Sequence, residues 1–233
     1  FENYIETRIY MTKAIFLKEW LKTRRVFWVS LLVAVLFAVY AIMCIRRVST
    51  SHGVEHVWLI MLMKDQTFID AIKYVPALIG IALGVAQMAP EMQQKRLKLT
   101  LHLPFPQNRL IATMIGTGLG QLLVIFLLQA LIIGIYYRGV VTSEMTWHVM
   151  LTTIPGYLAG FDAYLFTAAT CLEGRWGRRI VLGLLGLGVL AIYFMQPAPQ
   201  AYNGMLVGAL IFTLLLILLS SLSVNRFKEG LID

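Results

Sequence analysis

The chain has 233 residues, 59% of them hydrophobic and only 14% charged, with a formal net charge of +8. Soluble domains carry about 25% charged residues, so these values and a mean hydropathy of +0.75 belong to an integral membrane protein. The apolar runs leave no room for a soluble domain of even ~50 residues, so any function that needs one must borrow it from another chain.

The first ten residues, FENYIETRIY, are too charged for a secretory signal, which needs a basic head and an apolar centre. Met11 is available as a natural start, which would make residues 1–10 an upstream extension. Residues 10–25 are expected to form an amphipathic helix in the headgroup plane. Phe16, Trp20 and Arg24 follow i, i+4 spacing, and Lys18, Lys22 and Arg25 are placed to meet phosphates. The plainer reading is a basic flank of the first span.

A spanning helix needs about 20 largely apolar residues. Six segments qualify: 26–45, 68–88, 110–137, 148–172, the short and Gly-rich 180–195, and 205–224. The run VWLIMLM, 57–63, is too short to span and reads as interfacial or re-entrant. With the N-terminus inside, the cytoplasmic side holds Arg8, Lys13, Lys18, Lys22, Arg24, Arg25, Lys95, Arg96, Lys98, Arg109, Arg175, Arg178, Arg179, Arg226 and Lys228. The outer side holds only Arg46, Arg47, Lys64, Lys73 and Arg138. This bias places both termini in the cytoplasm of a multi-pass protein of the cell inner (cytoplasmic) membrane. It also accounts for most of the positive charge, and so argues against a nucleic-acid role, which needs a basic folded surface with stacking aromatics.

Small-xxx-small pairs recur at Gly80/Gly84, Gly116/Gly120, Gly156/Gly160 and Gly204/Gly208, as expected of a compact helical bundle. GTGLG at 116–120 lacks the spacing and the preceding strand of a dinucleotide loop, and no GxxxxGK[ST] occurs. The chain is therefore expected to bind no ATP by that route and no cofactor of its own. His52 and His56 share i, i+4 spacing but have no evident third ligand, so no metal site is expected. No span has a central histidine to hold a haem, and no nucleophile–base pair is readable. Cys44 and Cys171 lie near the ends of apolar runs and read as free thiols.

Asp162 is the only acid well inside a span. A carboxylate at mid-bilayer costs roughly 2.5–3.5 kcal/mol on insertion scales. It is therefore either a substrate or proton contact in a pathway, or a structural hydrogen-bond partner of Tyr157, Tyr164 or a neighbouring helix.

Between the second and third spans stands APEMQQKRLKLTLHLPFPQNR, 89–109. A plain helix connection takes 2–8 residues; this one is far longer and charged. RLKLTLHL alternates with period two, a strand pattern, but an isolated strand would leave its edges unpaired, whereas a short helix satisfies its own backbone. The segment resembles the first cytoplasmic loop of permeases of ATP-binding-cassette exporters, type-two class. Glu91 matches the acid after the second span, Leu97 and Leu99 to Leu103 the leucine stretch, Leu103-Pro104 the Leu-Pro, and Arg109 the base opening the third span. Lys95 and Arg96 stand where Gly-Thr is usual.

The resemblance implies a coupling helix that docks on a separate ATPase through Glu91, Lys95, Arg96, Leu99, Leu103 and Arg109. ATP and magnesium would sit on that partner. A second permease chain, identical or homologous, would complete the pathway. The expected function is then export of an amphipathic or lipid-like substrate. The alternatives are a non-transporting anchor or regulatory subunit, and a proton-coupled transporter using Asp162.

Overall fold

The computed structural model describes the backbone of residues 2–65, 67–93, 107–196 and 198–228, and the side chains of 11–51, 53, 55–65, 67–92, 110–196 and 198–217. The described residues form helices and turns, with no strand among them. The helices are α1 (Glu2–His52), α2 (Val54–Met63), α3 (Val75–Gln93), α4 (Gln107–Val140), α5 (Ser143–Leu172), α6 (Trp176–Phe194) and α7 (Leu206–Lys228). Single 3-10 turns at Asp70–Ile72 and Asn203–Met205 precede α3 and α7.

The segment expected to lie apart as an interfacial helix, 10–25, instead runs without a break into the first span. α1 is one helix of 51 residues, about 75 Å long at 1.5 Å per residue. No Gly or Pro occurs from Glu2 to His52 to interrupt it. It stops at Gly53, whose φ of 83° is open to glycine at little cost. The buried stripe of α1 also differs from the aromatic one expected. It runs through Glu19, Thr23, Phe27, Ser30, Ala34, Ala38, Ala41 and Ile45, while Phe16 is exposed. Steps of three and four keep these residues on one face, and the small ones let neighbouring helices approach.

The remaining elements fall close to the expected segments. VWLIMLM lies in α2, which buries Val57 and Met61 and exposes Leu59, Leu62 and Met63. α3 begins later than expected, after the 3-10 turn, and continues through Pro90 to Gln93. Among the described residues four stretches are long and apolar enough to cross a membrane: Met11–Ser51, Asp70–Met92, Leu110–Val140 and Trp176–Phe194. The chain is thus membrane-embedded. α5 has the length, at 30 residues, but carries Thr152, Thr153, Asp162, Thr167 and Thr170 along it.

Glycine decides how the central helices meet. A Cβ at Gly80 would overlap the Gly160 carbonyl oxygen, and one at Gly84 would stand 2.9 Å from the Thr167 Cβ. A Cβ at Gly160 would lie 2.6 Å from the Phe126 ring and 2.8 Å from the Pro76 carbonyl. These pairings rise together in residue number, so α3 and α5 run parallel in direct backbone contact. α1 and α4 are likewise parallel, because Gln121 Nε2 donates to Thr23 Oγ1 at 2.7 Å and Gln129 Nε2 to the Ala34 carbonyl at 3.0 Å. By contrast, Gly116, Gly120, Gly204 and Gly208 face open space.

Two apolar cores result. One joins Phe27, Leu83, Met114, Leu122, Phe126 and Leu165. The other joins Ala41, Ile45, Val57, Ile69, Ile133 and Tyr137 at the opposite end of α1 and α4. Tyr137 Oη donates to the Thr67 carbonyl at 2.6 Å and so holds the turn before α3 against the second core. We call the end of the bundle where α3 finishes and α4 begins the foot.

Candidate functional site

At the foot, polar side chains from four helices meet inside the bundle. α1 supplies Glu19, Lys22 and Thr23, with Lys18 at the rim. α3 supplies Gln87 and Glu91, one turn apart. Glu19, Thr23, Gln87 and Tyr164 are fully buried, and Glu91 is 1% exposed.

Lys22 Nζ bridges the two acids, 2.8 Å from Glu19 Oε2 and 3.0 Å from Glu91 Oε1. Lys18 Nζ lies 3.0 Å from the same Glu91 oxygen. Gln87 Nε2 donates to Glu19 Oε2 at 3.0 Å and to the Met114 carbonyl at 2.7 Å. Its own oxygen accepts from Tyr164 Oη at 2.8 Å. Gly118 makes room for that ring, since a Cβ there would overlap the Tyr164 hydroxyl.

The cluster balances two carboxylates against two ammoniums. Burial of any one alone would be expensive; burial of the set is tolerated because each charge meets its opposite and further hydrogen bonds. The arrangement thus fastens α1 to α3, and through Gln87 and Tyr164 to α4 and α5, just before residues 94–106.

From sequence, Glu91 is expected to turn its charge toward a partner. The structure turns its side chain into the bundle, onto Lys18 and Lys22. Lys95, Arg96, Leu99 and Leu103 lie outside the described residues, as does the side chain of Arg109.

Asp162 occupies a separate place. It is fully buried on α5. Its Oδ2 accepts from Tyr193 Oη on α6 at 2.7 Å, and Thr213 approaches it from α7. Neither expected tyrosine partner is used: Tyr164 bonds Gln87, and Tyr157 stacks on Phe126 with ring centroids 5.2 Å apart. Tyr193 →Phe should leave a buried acid without this donor and lower stability by about 1–3 kcal/mol. Asp162→Asn keeps an acceptor and should melt close to the unmutated chain. Thermal melts of the purified variants test this; a larger loss for Asp162→Asn than for Tyr193→Phe would mean that the charge itself is required.

Nothing in the sequence reading points to Glu19, Gln87 or Gln121; Lys22, expected to meet phosphates, is turned onto Glu19 and Glu91 instead, and Tyr164, expected near Asp162, onto Gln87. The available signal was polar residues at helical spacing inside apolar runs, Glu19 with Thr23 and Gln87 with Glu91, each pair four apart. Among the described residues no three His, Cys, Asp or Glu side chains converge on one point; the His52 side chain lies outside them. Compared with known proteins, the chain matches no family model, no curated protein and no solved structure.

Proposed function

We propose that the chain is the membrane permease subunit of an ATP-driven exporter, working as a dimer with a cytoplasmic ATPase that carries ATP and magnesium. Six helices would cross the membrane with both ends cytoplasmic: α1 and α3 to α7. The parallel pairs α1/α4 and α3/α5 support this alternation. So does the position of Lys18, Lys22 and Glu91 together at the foot.

One observation carries the reading. The buried cluster around Lys22 ties α1 to the last turn of α3, immediately before the charged segment 94–106. A push on that segment by an ATPase would therefore move two helices together rather than bend a free loop. Lys95, Arg96, Leu99, Leu103 and Arg109 are the docking residues in this reading. Glu91 is the anchor behind them. Asp162 is a pathway group behind the α6 wall.

The test is affinity purification of the tagged chain from its native membrane. An ABC-type ATPase should co-purify. Arg96→Glu and Leu99→Asp should reduce its recovery or its hydrolysis rate in lipid. If no ATPase co-purifies with the unmutated chain, the anchoring-subunit reading replaces this one.

A further inference from the structure

A cavity of about 270 Å³ lies between α5, α6 and α7, at the end of the bundle away from the foot. Val189, Ile192, Leu206 and Phe212 face it. Two tyrosines also line it, but their hydroxyls are engaged elsewhere. Tyr193 Oη donates to Asp162, while Tyr202 Oη donates to the Ile192 carbonyl at 2.6 Å and accepts from Gln196 N at 2.9 Å. The wall therefore offers its occupant hydrocarbon contact. An apolar cavity of about 150 Å³ takes up benzene; this one has room for an alkyl chain.

Pro155, Tyr193 and Tyr202 also line a second recess of about 20 Å³, which adjoins the first through them. Its further members include the polar Lys73, Thr152, Gln196 and Gln200 beside Gly156, Phe194 and Ala198. The turn carrying Lys73 is held there by close packing, since a Cβ at Gly156 would lie 3.3 Å from the Lys73 carbonyl. The Tyr74 and Phe194 rings, 4.7 Å apart, fasten the same turn to α6. Lys73 Nζ has Asp70 Oδ1 at 3.6 Å, but that aspartate is 72% exposed. An ammonium has three donors, so a carboxylate can join the partners Lys73 already has. The recess has room for a water-sized group, which suits a carboxylate oxygen better than a bulky headgroup.

We propose that the two spaces form one site for a single-chain amphiphile of the fatty-acid class, its chain between α5, α6 and α7 and its carboxylate at Lys73, Gln196 and Gln200. This deepens the amphipathic-substrate part of the function proposed above, but it needs no ATPase to be tested. The probe is a photoreactive palmitic acid, added to the full-length chain in phosphatidylcholine nanodiscs, with unlabelled palmitate and hexadecanol as competitors.

Label should map to α6 and α7 peptides that line the cavity. Gly208→Phe fills the cavity from a position where a Cβ meets nothing within 4 Å, so it should fold and should abolish labelling. Lys73→Gln should weaken competition by palmitate about tenfold, the worth of one charged hydrogen bond, and leave hexadecanol unchanged. Label spread over the whole apolar exterior and insensitive to Gly208→Phe would overturn the site. Hexadecanol competing as well as palmitate with the unmutated chain would overturn the head assignment. Site-specific labelling without a co-purifying ATPase would sink the permease reading alone; a co-purifying ATPase without labelling would sink this site alone.

Discussion

Lys22→Met should unfasten the foot of the bundle and cost about 3–5 kcal/mol, the usual penalty for removing one partner from a buried ion pair. The reason lies in the geometry: Lys22 Nζ stands within 3.0 Å of both Glu19 and Glu91. Without it two buried carboxylates share only Lys18, whose side chain is 40% exposed and lies 3.9 Å from Glu19. The loss should appear as early aggregation on heating in detergent, followed by size exclusion. Lys22→Arg, which keeps the charge and adds donors, should recover most of it. A double change of Lys22→Met and Glu19→Gln should recover part, because Lys18 then balances the one remaining carboxylate, Glu91. If Lys22→Met melted like the unmutated chain, the cluster would be a loosely hydrated surface pair, and the mechanical argument for coupling through α1 and α3 would fall with it.

Gly80→Leu is expected to prevent α3 and α5 from docking. The obstacle to a Cβ at this position is the backbone of Gly160, with the Tyr164 amide nitrogen next, 3.1 Å away. A flexible side chain could rotate aside; a helix backbone cannot. Overpacking costs about 1–3 kcal/mol where neighbours can shift, and here the loss should exceed that range. Gly116→Ala and Gly204→Ala supply the contrast. Both positions face open space, so alanine should be harmless or, inside α4, slightly stabilising, since glycine within a helix costs about 1 kcal/mol relative to alanine. Expression level and monodispersity of the three variants give the comparison. Equal behaviour would mean that the glycines serve no packing role in α3 and α5.

Much of the fold is legible from local chemistry. Long apolar runs mark the helices, since a backbone in lipid must satisfy its own hydrogen bonds. The uninterrupted α1 follows from a stretch without Gly or Pro, even though the change from charged to apolar residues near Val26 invited a boundary there. Hydropathy reads environment, whereas helix continuity depends on backbone breakers. Of the candidate residues, Asp162 stands out because one acid in an apolar run is conspicuous. Glu19 and Lys22 do not, because they sit among other charges in KEWLKTRR and look like any headgroup-facing flank.

The sequence by itself determined the membrane class, the helical content and an unequal distribution of basic residues, because each follows from composition along a single segment. Pairings between segments were decided only in the tertiary structure. Four small-xxx-small motifs look alike in sequence, yet Gly80, Gly84 and Gly160 lie in helix contacts while Gly116, Gly120, Gly204 and Gly208 face open space. Glu91, a charge at the start of a polar loop when read along the chain, turns inward because Lys18 and Lys22, some seventy residues earlier, arrive at the same end of the bundle. Asp162 meets Tyr193 rather than the tyrosines near it in sequence because α6 packs on the face of α5 opposite to that which carries Tyr164. Which polar group finds which partner depends on helix rotation and neighbour order, and in this chain those are set by backbone contact between α3 and α5.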